Sequence, residues 1–402
     1  MVILAQHGYG KSDYVETGIT NGHIDGVILS PRDESPDSLK DFGSTLRSDF
    51  GEKISILFDP QFYATTIPSP NDRYLPDYSY YASPLTRGSF NPAAVQKFAA
   101  NVLRYQESLG FVDRIISPSV YFRDFNDPWS QISLSLIQAA IEAHKKMKDK
   151  APPLLLSLVL DVKALGNNAS LDELLNVISV LEAKGFYFIV KPETDEYPAY
   201  FDQDSVANML RLVYTLAELH RYEVICGYSD FMGTLSHAVG ATASGSGWYS
   251  NLRQFTFKRF QQSTGGKRPR ARYTSQQLVN SIPLNPELIS IAEKGALSSV
   301  LSRTRYDNVL DPDPAAGVTS WNQRRIQCLH HWEVLDRLCD SVCAAGSIQG
   351  RLQKVESIVS KGLETYTRLE DDNGIAFSPP SGSRNLVAWK NGIQQFRTEV
   401  GI

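Results

Sequence analysis

The chain has 402 residues, 42% of them hydrophobic and 21% charged, with a formal net charge of −4 and four cysteines. This balance excludes a largely disordered chain, and so few cysteines exclude a disulfide-stapled scaffold and fit a reducing compartment. No apolar run reaches the roughly 18 residues of a membrane span, and the opening MVILAQHGYG lacks a basic leader and a cleavage site, so a cytoplasmic location with no membrane contact is expected.

In chain order, eight short apolar pulses appear at strand length: VILAQH (2–7), DGVILS (25–30), KISILFD (53–59), FVDRIIS (111–117), LLLSLVLD (154–161), FYFIVK (186–191), YEVICG (222–227) and HAVGATAS (237–244). Between them lie helical candidates at 11–22, 36–50, 92–110, 128–149, 170–184, 203–220 and 229–236; in the sixth, Val206, Met209, Leu210, Val213 and Ala217 recur at helical spacing. Near-continuous apolar strands alternating with helices predict a parallel sheet covered on both faces. Eight such repeats within about 250 residues predict an α/β fold of the (β/α)8 TIM-like barrel type. A doubly wound open sheet is the competing arrangement, weakened because no GxGxxG follows the first strand.

Residues 1–262 are thus expected to form the barrel, and 263–402 a basic loop followed by an α-helical C-terminal extension. Beyond 275 the pattern is helical at 284–300, 322–345, 352–366 and 385–396, and in the third of these Leu352, Val355, Ile358, Val359, Leu363 and Tyr366 share one face. These helices are expected to pack on the barrel flank or form a bundle beside it, with a possible protein partner. Residues 251–402 hold 20 basic against 14 acidic side chains, leaving 20 against 30 for the rest. A basic C-terminal part could face phosphates or merely solvate helices.

Barrel chemistry sits in the loops that leave the strand C-termini. The tips predicted here are His7 after the first strand, Ser30 and Arg32 after the second, Asp59 after the third, Ser117 and Tyr121 after the fourth, Asp161 and Lys163 after the fifth, Lys191 and Glu193 after the sixth, Tyr228 and Asp230 after the seventh, and Ser244 to Trp248 after the eighth. An acid at the end of a buried strand is costly unless it is paired or functional. Asp59 and Asp161 facing Lys191 across a barrel mouth could form a general acid–base set, or Lys191 could simply pair with one of them. Asp230 either joins that set or caps a helix, and His7 is a general base, a ligand or a hydrogen-bonded buried histidine.

The run SGSGW places Ser244, Gly245, Ser246 and Gly247 where a barrel often binds phosphate through backbone amides, with YSNLRQFTFKRF (249–260) as the next helix and Arg253 close by. The bland alternative is a glycine-rich turn with Ser250 as N-cap. A proline-rich loop at 64–92 carries Tyr74, Tyr78, Tyr80 and Tyr81, which suit a stacking lid for a base or sugar, or aromatic packing of an insertion. Arg32, Tyr228 and Trp248 complete the expected substrate-binding set. In STGGKRPRARY (263–273), Lys267, Arg268, Arg270 and Arg272 follow a Gly-Gly hinge and suit nucleic acid, or are only solvated. No cofactor is implied. No metal is expected either: along a helix Cys328 and Cys343 stand roughly 22 Å apart, too far for one zinc, and they read as thiols in a helix interface.

Together these features point to an enzyme acting on a phosphorylated ligand, a nucleotide or nucleic acid, by carboxylate and lysine acid–base chemistry. The alternatives are a transglycosylase-like enzyme that cleaves a glycosidic bond or exchanges a base, and a non-catalytic nucleic-acid-binding or assembly subunit. Transglycosylase-type barrels carry clustered zinc cysteines that have no counterpart here.

Overall fold

The computed structural model describes residues 2–10, 13–68, 70–147, 151–262, 270–307 and 321–402, the side chains of 321–323 excepted. The strands are β1 (Val2–Gln6), β2 (Gly26–Leu29), β3 (Ser55–Phe58), β4 (Ile115–Ile116), β5 (Tyr121–Phe122), β6 (Leu154–Asp161), β7 (Gly185–Lys191), β8 (Glu223–Gly227) and β9 (Ala243–Ser246). All pair in parallel in the order β3-β2-β1-β9-β8-β7-β6-β4, with β5 also on β6. The first and last barrel positions meet where Leu4 pairs with Gly245. The fold is therefore a parallel eight-position (β/α)8 barrel, closed except for one seam, with C-terminal helices on its flank.

Why the pulses read as continuously apolar is plain from the two cores. Leu4, Ile28, Leu57, Ile116, Leu155 and Ile225 point into the barrel, whereas Ile3, Val27, Ile56, Ile115, Leu154 and Val224 point out against the helices. Both faces of these strands are covered, so apolar residues occupy most of both alternate positions.

The seam lies between β3 and β4, and a side chain closes it. The Asp113 amide donates to the Ile56 carbonyl at 3.0 Å, and Asp113 Oδ2 accepts from the Ile56 amide at 2.6 Å. Arg47 holds the other carboxylate oxygen at 2.7 Å. One aspartate thus does the work of a strand edge that would otherwise leave its amide without a partner.

The fourth barrel position is broken. Ile116 pairs with Leu155 and Tyr121 with Val159, so five steps along this strand match four along β6. Such a surplus residue is a bulge. Because side chains alternate faces, the bulge restores Tyr121 to the interior, the same face as Ile116. Ser117 sits in the break, and its hydroxyl accepts from the Ser157 amide at 2.9 Å.

Two expectations shift in the last part of the barrel. HAVGATAS is not the eighth strand: Met232–Ala238 is helical, Gly240 turns the chain with φ +107, and the strand is Ala243–Ser246. YSNLRQFTFKRF forms only a four-residue helix, Ser250–Arg253, an extended link and a 3-10 turn, Phe257–Phe260.

A further difference is a hairpin of β10 (Arg272–Ser275) and β11 (Asn280–Pro283) where helix begins to be expected. The Ser275 hydroxyl, accepting from the Leu278 amide at 3.1 Å, steadies its turn. Helices Trp321–Cys343, Ile348–Asp371 and Arg384–Val400 follow. The first lies against helices Tyr14–Thr20 and Met232–Ala238, and the last against Gln203–Tyr214. Cys328 and Cys339 are buried in this interface, and burial raises both thiols above their ordinary range. No described helix is long and apolar enough to cross a membrane.

Replacing Asp113 with alanine leaves the Ile56 amide without its acceptor and takes one of several from the Arg47 guanidinium. It is expected to cost about 2 kcal/mol of stability in urea unfolding, with Asp113→Asn recovering part of the loss; an unchanged midpoint for Asp113→Ala would mean that the seam holds without it.

Candidate active site at the barrel rim

The barrel axis is sealed at its C-terminal mouth. Arg259, 5% exposed, belongs to the turn Phe257–Phe260, and its guanidinium lies 5.6 Å over the Phe260 and Tyr228 rings. It donates to the Ser30 hydroxyl at 2.6 Å, to the Asp33 carboxylate and to the Tyr228 hydroxyl. Burial opposes the charge on Asp33, but Arg259 and then Arg32 outweigh it and hold its carboxyl below the ordinary value. Arg32 donates to Asp33 at 2.9 Å and to the Asn71 carbonyl at 3.1 Å, and lies 5.5 Å over the Phe260 ring. Arg32 and Tyr228, expected to touch substrate, instead hold this plug.

Beneath the plug lies Asp59, 1% exposed. It accepts from the Tyr63 hydroxyl at 2.8 Å, the Gln61 amide at 3.0 Å and the Tyr187 hydroxyl at 3.4 Å. Burial nevertheless pushes its carboxyl up to about 6. Asp59 therefore does not face Lys191 in one acid–base set.

Asp161 and Lys191 do come together, at the rim. The bulge in the fourth strand brings Tyr121 to them: its hydroxyl donates to Asp161 Oδ2 at 2.5 Å, and Lys191 Nζ donates to the same oxygen at 3.5 Å. The other oxygen accepts from the Lys163 amide at 3.1 Å, as the cap of the following turn. Burial, then the Asp161 hydrogen bond, raises the Tyr121 phenol far above its ordinary value, so it remains a donor. Lys191 lies 5.6 Å over the Phe257 ring, and Tyr121 and Phe257 meet edge to face at 4.6 Å. These two rings, with Trp129, Arg123 and Ile67, line an open groove of about 350 Å³. The pair thus stands directly behind the groove wall, on the face where barrel enzymes carry their chemistry.

The glycine-serine run has a different role. Ser244, Gly245 and Ser246 belong to β9 itself, and the Gly247 amide is spent on the Leu252 carbonyl at 3.1 Å. A Cβ on Gly245 would stand 3.1 Å from Gln6 and Ile28, and one on Gly247 2.3 Å from Leu252. Small residues are required here by close packing, and within the run Ser244–Gly247 three residues are strand and the fourth has its amide already paired. Ser244 bonds His237, while Ser246 donates to Asp230 at 3.0 Å. Asp230 also accepts from His331 Nε2 at 2.7 Å and from the Tyr197 hydroxyl at 3.1 Å. Arg253 is buried, donating to the Gly247 carbonyl at 2.9 Å and to Tyr197 at 3.1 Å. Asp230 thus ties the eighth strand to the helix Trp321–Cys343, and Arg253 ties the residue after that strand to Tyr197.

Tyr78 and Tyr80 form no stacking platform: both are buried on Phe58 and Tyr105, their hydroxyls spent on the Glu34 and Pro60 carbonyls at 2.9 Å. Tyr81 is partly buried against the same cores. Arg272 is not a solvated loop charge, since it donates to the Ser281 carbonyl at 2.5 Å and lies 5.3 Å over Tyr197. Arg270 is exposed, and Lys267 and Arg268 fall outside the described residues. His7 and Trp248 meet edge to face at 5.6 Å and line a second cleft on the opposite side of the mouth. Among the described residues no three His, Cys, Asp or Glu side chains converge as a metal site. Sequence reasoning missed Asp33 and Phe257, and it counted Arg259 only with Lys258 and Arg253 in the basic tract before 263–273; the one visible hint to its buried role was an arginine set among three phenylalanines in FTFKRF.

No family model matches the sequence, and no curated protein does. Among solved structures, dihydrodipicolinate synthase from Bacillus clausii aligns over 100% of this chain and 98% of that one, at 11% identity and a TM-score of 0.34. That superposition is too loose to bear on the chemistry.

The raised value of Asp59 has a testable sign. The native state keeps a proton that the unfolded chain releases, so this group's stabilisation is complete below about pH 4 and lost as pH rises through 6, a change of about 3 kcal/mol. His7, His237, His330 and His331, each lowered by burial to about 4, tilt the whole curve the opposite way. The difference between Asp59→Asn and wild type isolates the carboxyl: it is expected to grow in favour of the variant between pH 4 and 6.5 in chemical denaturation, and a constant difference would refute the assignment.

Proposed function

We propose that the protein is an acid–base enzyme that works at the rim groove on a phosphorylated, ring-bearing substrate. The observation that carries this reading is the Asp161–Lys191 pair, joined by Tyr121 directly behind an open groove with aromatic walls. Asp161 takes the substrate proton. The Lys191 ammonium steadies the negative charge that then develops on a neighbouring oxygen, and Tyr121 aims the carboxylate. Arg123, exposed at the groove edge, suits a phosphate, and Trp129 and Phe257 suit a flat ring. Of the two other classes weighed, glycosidic cleavage loses one of its carboxylates, because Asp59 lies under the plug. A non-catalytic binding or assembly role is favoured by one feature, the sealed axis.

Turnover of a panel of sugar phosphates, nucleoside monophosphates and their dephosphorylated counterparts decides between them. A phosphorylated member is expected to be consumed. Asp161→Asn and Lys191→Met should each lower kcat by about 100-fold or more, Tyr121→Phe by about 10-fold, and Arg123→Ala should raise KM with little effect on kcat, all with near-native melting temperatures. Full activity in Asp161→Asn, or no turnover of any panel member by wild type, overturns the proposal; the second outcome leaves the binding role.

A further inference from the structure

Away from the rim groove, helices Tyr14–Thr20 and Pro36–Phe50, which follow β1 and β2, border a cleft of about 690 Å³. That volume falls within the range of small-molecule sites. None of its described lining residues lines the rim groove.

Its floor is aromatic. The His7 ring lies 5.4 Å from Phe42, tilted by 32°, and 5.6 Å from Trp248, edge on. His7 and Trp248 are only 5% and 7% exposed, yet His7 Nδ1 and Trp248 Nε1 have no hydrogen-bond partner. Burial holds the imidazole neutral, down to about 4. A buried ring nitrogen and a buried indole N–H left unmatched cost about 1–3 kcal/mol each, which a protein keeps where something else supplies the partner.

The walls are acidic. Glu16, Glu34 and Asp41 line the cleft with Asp13, and its described lining residues include no lysine or arginine. Asp13 is already answered by Arg325 at 2.6 Å. The other three carboxylates have no ion-pair partner among the described residues: the Glu34 carboxylate accepts from the Ser38 hydroxyl at 3.0 Å, and Glu16 Oε2 is buried without a partner. Burial and then the Asp13 charge raise the Glu16 carboxyl above its ordinary value. Three carboxylates without an ion-pair partner among the described residues thus border an aromatic floor, a complement to a single positive ligand.

We infer that this cleft binds an organic cation, a flat ring bearing an amidinium or guanidinium group, stacked on the His7–Phe42–Trp248 floor and paired with Glu16, Glu34 and Asp41. Carboxylates pair with such planar N–H forks in two-point contacts, and aromatic faces attract the same charge. The ring's acceptor atoms take the Trp248 N–H, and its N–H groups reach His7. The inference stands independently of the acid–base reading at the rim.

Benzamidine and 2-aminobenzimidazole serve as probes and benzoate as the control of like shape and opposite charge, with titration of the full chain by calorimetry and Trp248 fluorescence. Both cations are expected to bind and to raise the melting temperature, and benzoate to do neither. The double variant Glu16→Gln, Asp41→Asn should weaken cation binding by at least about tenfold and melt close to wild type in the absence of probe. Asp161→Asn should bind the probes as wild type does. Absence of binding by either cation at millimolar concentration, equal binding of benzoate, or unchanged affinity in the double variant overturns the inference.

Discussion

A guanidinium keeps its charge at any pH a protein meets, so an arginine driven into the mouth of a barrel dictates what surrounds it. Arg259 is such a group, and Asp33, Ser30 and Tyr228 are arranged to answer it. Phe255 and Phe260 close over the network, and Arg32 locks it from the side. With the axis filled, ligand access moves outward, to clefts between the strand tips on opposite sides of the ring. That displacement explains why Asp59, well placed by sequence, is a core residue, whereas Asp161, two strand positions along, stands beside an open groove.

Two local irregularities make the rim geometry possible. The surplus residue in the fourth strand turns Tyr121 inward, where an unbroken strand would have aimed it at a helix. The Asp113 side chain then spans the seam which that short, broken strand cannot close by backbone alone. Both are departures from a regular barrel; the bulge lies next to the groove, whereas Asp113 bridges the N-terminal part of the same pair of strands. Departures of this kind gather at functional sites because elsewhere regular pairing is more stable.

Much of the fold was legible because burial on both faces writes itself into sequence as unbroken apolar runs: LLLSLVLD matches β6 end to end, and Pro36–Phe50 carries its own cap and apolar stripe. The eighth strand was not legible, since ASGS has no apolar period. Its residues are chosen for closeness to Gln6, Ile28 and Leu252, a relation between distant segments. Asp161 and Lys191 could be paired from their positions at the ends of neighbouring strands, which lie in direct register. What could not be read was depth. Whether a tip residue lies open or sealed depends on Arg259, some 200 residues away from Asp59, and no local pattern reports that. The hydroxyls of Tyr78 and Tyr80 mislead for the same reason, because a loop rich in proline and tyrosine looks exposed until Phe58 and Tyr105 are seen against it.

Trp332, wholly buried in the long helix after the hairpin, donates its indole N–H to the carbonyl of Ser246 at 2.9 Å, and His331 beside it grips Asp230. The barrel's final strand is therefore finished by side chains that arrive some 85 residues later. Synthesis of the ring alone pairs this strand on both sides yet leaves the Ser246 carbonyl without its indole and Asp230 without its imidazole, so the extension adds to the hold on the strand that closes the ring.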